Sequence, residues 1–172
     1  MKILRNTLLA LAAQLTLSGF YLCDSASGFS QDGVGFEISP HHFGLSVPNL
    51  EESVAWYRKM LGFEVVTRMK EDAANKMLIA LMRRGNFYLE LFQVEGAQPM
   101  PDYRRDPNTD LRVHGLKQIA FQVSDVHAAV KELKEKGVEI AMGPIESPGV
   151  VFAFIRDNSG ILIELIQFKK QP

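Results

Sequence analysis

Cysteine is all but missing from this chain: 172 residues contain one, Cys23. A disulfide framework is thereby excluded, and if an N-terminal leader that carries Cys23 is removed, so is a thiol nucleophile. Neither sign of charge dominates, with 19 Lys and Arg against 20 Asp and Glu and a formal net charge of −1. No long run of Lys or Arg occurs, which argues against nucleic acid as a partner. The longest basic feature, "YRRD" at 103–106, reads as a solvated loop. No apolar run reaches the ~20 residues that cross a bilayer as a helix. What is present, 47% hydrophobic and 23% charged residues, is ordinary for a globular domain.

The first thirty-odd residues differ in kind from the rest. Lys2 and Arg5 form a short basic start, "TLLALAAQLTL" at 7–17 is apolar apart from Gln14, and small and polar residues follow. That order is the order of a secretory signal peptide over residues 1–31, the alternative being an uncleaved N-terminal anchor. Cys23 follows "FYL", whose bulky residues do not suit a lipoprotein site. The expected object is an exported, periplasmic or secreted single domain, 32–172, without cysteine once the leader is removed and without membrane contact.

That domain repeats itself. "HFGLSVPNLEESVAWYRKML" at 42–61 and "QIAFQVSDVHAAVKELKEK" at 118–136 follow the same plan. Each opens with a strand of alternating apolar residues (Phe43, Leu45, Val47; Ile119, Phe121, Val123). Each then meets an N-cap, Asn49 with Glu52 three residues on, or Asp125. The helices carry apolar residues three or four apart: Leu50, Val54, Tyr57, Leu61 and Val126, Ala129, Val130, Leu133. Both end at a glycine, Gly62 or Gly137, suited to a left-handed cap. Two further strands lead through the turns "RRGN" and "RDNSG" to "NFYLELFQV" and "GILIELIQF". The pattern predicts β-α-β-β-β twice, 41–94 and 115–168. The joining segment 95–114, rich in Pro and Asp and without periodicity, is either a linker or part of a site.

Each last strand contains one anomaly, a carboxylate between leucines or isoleucines: Glu90 and Glu164. A charge at such a position is paired, protonated or bound to a cation, since leaving it bare costs many kcal/mol. Side chains alternate faces along a strand. With Leu45 and Val47 turned to the helix, His42, Gly44 and Ser46 point away; so do Gln118, Ala120 and Gln122, and so do Glu90 and Glu164. The separations agree, 48 residues from His42 to Glu90 and 46 from Gln118 to Glu164. If the two sheets face each other, four ligand-type side chains converge on one metal centre.

Taken together, "HHFGLSVPNLEESVAWYRKMLGFEV", "FYLELFQ", "IAFQVSDVHAAVKELKEKGVEI" and "FIRDNSGILIELIQ" resemble the vicinal oxygen chelate superfamily, which includes glyoxalase I, extradiol dioxygenases and bleomycin-resistance proteins. The resemblance covers 41–168. It implies an α+β fold of two paired βαβββ modules forming a half-open barrel around a divalent metal. It also implies His42, Glu90, Gln118 and Glu164 as the metal set, although most relatives have His where this chain has Gln118. Gln118 either ligates the ion or hydrogen-bonds a water on it. His41, His114 and His127 are expected at exposed positions.

One His, one amide and two carboxylates suit Zn, Ni, Co or Mn, and suit ferrous dioxygen chemistry less, because the two-His-one-carboxylate triad is absent. By resemblance the implied activity is a glyoxalase I-like lyase or isomerase acting by enolisation, with Glu164 as base and Glu90 as its counterpart, or the reverse. The alternatives are a non-catalytic small-molecule binder of the bleomycin-resistance type and an extradiol-type dioxygenase. Ser46, Tyr88, Gln122, Tyr103 and Arg105 are the candidate substrate contacts. The expected partners are a small oxygenated molecule and a second copy of the chain in a homodimer.

Overall fold

The computed structural model describes residues 39–72 and 76–169, with side-chain detail over 39–69 and 76–169. The expected leader, 1–31, lies outside the described residues. No described helix is long and apolar enough to cross a membrane.

The first module runs β1 (His42–Ser46), α1 (Leu50–Leu61), β2 (Glu64–Asp72), β3 (Met77–Arg84) and β4 (Phe87–Val94). After the connector come β5 (Ile119–Gln122), α3 (Val126–Glu135), β6 (Ile140–Ser147), β7 (Val150–Arg156) and β8 (Leu162–Phe168). The strands form two four-stranded sheets of matching order, β1-β4-β3-β2 and β5-β8-β7-β6. In each, the first strand pairs parallel with the last and the rest is antiparallel. The twofold βαβββ pattern read from the sequence is therefore the fold, and the fold class is α+β.

Local chemistry explains the helix ends. Asn49 Oδ1 accepts the N–H groups of Glu51 and Glu52, while its Nδ2 donates to Glu52 Oε1 at 2.9 Å. Asp125 does the same for Ala128 at 2.9 Å. Gly62 closes α1 in the left-handed region, φ 65° and ψ 31°, a backbone conformation that residues with a Cβ rarely adopt. Gly137, φ 84°, sits one residue beyond the Lys136 cap of α3.

Tyr57, Leu89, Leu91, Met82, Ile155, Ile163 and Leu165 are fully buried and belong to one core that draws on both modules. At ~1.5–3 kcal/mol per buried large apolar side chain, this core dominates the stability. The modules are joined across it by a ring cluster, with Phe121 5.1 Å from Phe87 and 5.9 Å from Phe63. Phe43, expected to face the helix with Leu45 and Val47, stacks on Phe87 yet stays 40% exposed, because β1 is an edge strand.

A polar knot adds a second join. Tyr57 Oη donates to Asp157 Oδ2 at 2.8 Å, and Asp157 Oδ1 accepts the N–H groups of Ser159 and Ile161, each at 2.8 Å. Ser53 meets Asn158 and Ser159 beside them. Burial holds the Asp157 carboxyl above the usual carboxylate range despite these bonds, and pushes the Tyr57 hydroxyl well above the usual phenol range.

The connector has more structure than its lack of periodicity suggested. A 3-10 turn (Asp102–Arg104) precedes a one-turn helix, α2 (Pro107–Asp110), capped by Asp106 Oδ1 on Thr109 N at 2.8 Å. Proline at the first helical position is the local signal for that turn. Arg104, expected in a solvated loop, reaches the buried Asp110 at 2.7 Å, joined by Lys117 at 3.4 Å. Arg156 ties the connector to the β7–β8 turn through the carbonyls of Arg105 and Gly160.

Candidate metal centre

β1 and β4 lie side by side with His42 opposite Tyr88 and Gly44 opposite Glu90. A diagonal of two residues on the shared face brings the His42 imidazole to the Glu90 carboxylate, Nε2 to Oε2 at 3.2 Å. Two acceptor lone pairs do not sit that close without a positive group between them, so the gap holds either a proton on His42 or a cation. Neighbouring donors around a divalent ion with bonds of about 2.1 Å stand about 3.0–3.4 Å apart, which this pair matches.

The second sheet repeats the arrangement. Ala120 lies opposite Glu164, and Gln118 Nε2 donates to Glu164 Oε2 at 3.4 Å. Turning the amide would present its oxygen instead. Burial raises the Glu164 carboxyl above the usual range, against a weaker opposing effect of the Gln118 bond. The burial has a visible source: Phe154 stands across from Glu164 in the β7–β8 pairing and belongs to an apolar cluster with Phe152, Val150 and Leu162.

Both carboxylates thus share one setting, a small residue on the first-strand side (Gly44, Ala120) and a large apolar one on the third-strand side (Leu81, Phe154). The missing side chain at Gly44 is used: a Cβ there would meet Phe92 Cε2 at 2.9 Å.

The four expected ligands therefore form two pairs, one in each sheet. Among the described residues no group of three or more His, Cys, Asp and Glu side chains is gathered closely enough to hold an ion. Strand alternation placed each of the four on the face away from its helix, but within the chain the two pairs do not close into one cluster. The donor types are ones that suit a divalent cation, and each pair offers two of them.

The other expected contacts divide. Ser46 and Tyr88 share the face of His42 and Glu90, and Gln122 shares that of Gln118. Tyr103 is 62% exposed on the connector's 3-10 turn. Arg105 lines a cavity of about 510 Å³ between the connector and the β7–β8 turn, with Met100, Asp102, Glu139 and Asp157; no member of the two pairs lines it. His114 is exposed, and His127 is exposed beside Glu146 at 3.5 Å. His41 is exposed as expected but is not idle, because its Nδ1 lies 2.8 Å from His42 Nδ1. The doubled "HH" was the signal for it.

The twofold βαβββ plan, with a carboxylate on each last strand, is the plan that the resemblance implied. The family model described as the Glyoxalase/Bleomycin resistance protein/Dioxygenase superfamily matches residues 39–165, and the chain belongs to that family. It is 31% identical over 132 residues to an uncharacterised protein of Bacillus subtilis, covering 75% of this chain and 96% of that one. It is 28% identical over 135 residues to the mitochondrial methylmalonyl-CoA epimerase of Homo sapiens, covering 74% and 72%. A solved glyoxalase family protein from Enterococcus faecalis superposes with a TM-score of 0.62 at 23% identity, covering 74% of this chain and 96% of that one.

Proposed function

We propose that this protein is a metal-dependent isomerase or lyase acting by enolisation of a small oxygenated substrate. One observation carries the proposal: two mid-strand carboxylates, each held by one metal-ligand-type side chain and each opposite a small residue on the neighbouring strand. Similarity to an epimerase supports the reaction type.

His42, Glu90, Gln118 and Glu164 are the residues to hold the ion, with Zn, Ni, Co or Mn suited to such a donor set. The ion would supply Lewis acidity toward two neighbouring substrate oxygens. Glu164 is the better base: desolvated by Phe154, its carboxylate holds a proton more readily than a solvated one, and Gln118 orients it. It takes the proton from the carbon beside the substrate carbonyl and returns it, and Glu90, steadied by His42, occupies the counterpart position. Ala120 leaves room for the substrate over β5, while Phe92 packs over Gly44, and Ser46, Tyr88 and Gln122 lie on the same faces.

Because each pair is half of a shell, the working unit is a homodimer in which His42 and Glu90 of one copy meet Gln118 and Glu164 of the partner subunit. The N-terminal leader directs the protein out of the cytoplasm, which favours a small free carbonyl compound over a coenzyme A or glutathione thioester.

Metal analysis of the purified protein, with oxygen uptake and solvent-deuterium exchange into α-hydroxycarbonyl compounds, tests the proposal. One divalent ion per four-residue set and exchange that Glu164→Gln abolishes are expected. Ferrous iron with oxygen uptake would instead identify a dioxygenase, and a metal-free, exchange-inactive protein a binder.

A further inference from the structure

We propose that Arg83 sets substrate specificity by anchoring a carboxylate that the substrate carries. The proposal rests on the isomerase or lyase reading of the site and names its substrate class.

The internal repeat shows what sets Arg83 apart. It stands opposite Tyr88, two residues before Glu90, and Glu64 is its other cross-strand neighbour. In the second module Arg156 stands opposite Leu162, two residues before Glu164, and its backbone N–H donates to the carbonyl of Glu139. Glu64 and Glu139 correspond in turn, each two residues after the glycine that ends its helix. Arg156 is buried and fully engaged. Its Nη1 donates to the carbonyl of Gly160 at 2.7 Å and its Nη2 to that of Arg105, while Nε lies 3.3 Å from Glu139.

Arg83 is exposed, and among the described residues its guanidinium makes no ion pair and no hydrogen bond. Glu64 does not pair with it as Glu139 pairs with Arg156. The Tyr88 ring is turned to His41, parallel to it within 9° at 5.0 Å. Arg84, the next residue, points to the helix face and spends Nη1 on the carbonyl of Leu61 at 2.8 Å. The doublet "RR" is thus divided between a structural arginine and a free one.

The free one lies at the site. The β3–β4 register puts Arg83 on the face of His42, Tyr88 and Glu90. It flanks Glu90 from β3 by the same two-residue diagonal by which His42 flanks it from β1, a Cα separation of about 7–8 Å. A guanidinium presents paired N–H donors that match the two oxygens of a carboxylate. The carbonyl oxygens on Arg156 show that the corresponding fork takes oxygen acceptors. A substrate whose hydroxyl and carbonyl oxygens lie at the metal pair reaches Arg83 with a carboxylate a few bonds away. Glu64, on the neighbouring strand, repels a phosphate dianion about twice as strongly as a single carboxylate.

Two matched compounds test this: 5-hydroxy-4-oxopentanoate, an α-hydroxyketone bearing a carboxylate, and its neutral methyl ester. Solvent-deuterium exchange by the Zn²⁺-loaded full chain gives kcat and KM for each, and titration calorimetry gives their affinities without turnover. The wild type is expected to prefer the acid about 10–100-fold, in KM and in affinity rather than in kcat. Arg83→Ala is expected to lose that preference through a higher KM and weaker binding of the acid. Arg83→Lys, which keeps the charge without the fork, is expected to fall between. A preference that survives Arg83→Ala, or a wild type with no preference for the acid in either measurement, overturns the proposal. Exchange into neither compound overturns the enolisation reading, and the calorimetric comparison of acid with ester still decides the role of Arg83.

Discussion

Gln93 reaches back across 43 positions of sequence to accept, through Oε1, the backbone N–H of Leu50 at 2.7 Å. Leu50 opens α1, where the first amides of a helix have no partner inside it. Gln167 does the same for Val126 at the start of α3, at 3.0 Å. In each module the last strand therefore ties down the helix that follows the first strand, and the glutamine that does so lies three residues after the site carboxylate. Strand, helix and Glu90 or Glu164 are thus held in one frame.

Removing that tie has a measurable cost. Gln93→Ala or Gln167→Ala leaves a part-buried N–H unsatisfied and is expected to lower stability by about 1–2 kcal/mol, read as a lower urea midpoint with an unchanged m-value. Gln93→Glu, which keeps an acceptor at a helix N-terminus, is expected to lose less than Gln93→Ala. Equal losses would show that the bond is not what matters.

The Tyr57–Asp157 knot separates charge from hydrogen bonding. Asp157→Ala strands the Tyr57 hydroxyl and two amides and should cost about 3 kcal/mol. Asp157→Asn can keep all three bonds, with its Nδ2 donating to Tyr57, and removes the burial of charge. The Asp157 carboxyl is held above its usual range, so the folded state keeps its proton to higher pH than the unfolded chain does. Stability from that proton is full below the unfolded-state value near 3.8 and is lost as pH rises through the folded-state value. Denaturant curves across acid to neutral pH should therefore show Asp157→Asn gaining on the wild type as pH rises.

Asp110 behaves with the opposite sign. Its burial alone would raise its carboxyl, but Arg104 and Lys117 overcome this and hold it below the usual range. The stability it contributes is present above the unfolded-state value near 3.8 and is lost as pH falls through the lower folded-state value. Asp110→Asn is expected to lower stability at neutral pH by about 1–3 kcal/mol, with the deficit closing in strong acid. A deficit independent of pH would remove the ion pair from the explanation.

Subunit mixing tests how the two pairs are used. His42→Ala and Glu164→Gln homodimers should each lack activity. Refolded together, they should form heterodimers in which one site regains His42 and Glu90 from one chain and Gln118 and Glu164 from the other. About a quarter of wild-type activity is then expected from a statistical mixture, half the dimers being mixed with one intact site each. No recovery would mean that each chain supplies all four ligands to its own site.

How much of this was legible beforehand follows from the range of the forces involved. The strand and helix periods, the Asn49 and Asp125 caps and the Gly62 stop depend on residues within one turn or one pleat of each other, so the sequence alone determined the doubled βαβββ plan. The same two-residue period determined which face each of His42, Glu90, Gln118 and Glu164 would take. The structure of the connector was missed because α2 is one turn long, too short for a period, and is secured by Arg104 and Lys117 on Asp110.

What tertiary structure alone decided is which side chains meet. The Gln93–Leu50 and Tyr57–Asp157 bonds, and the Phe121 contacts between modules, join groups far apart in the chain, and they depend on how one core packs both helices. The four expected ligands resolved into two pairs for the same reason: alternation sets the direction of a side chain, but the distance between the sheets is set by the packing beneath them, which no local pattern encodes. His41 joined His42 because an edge strand leaves a terminal ring free to fold onto Tyr88, and only coordinates show where a free ring comes to rest.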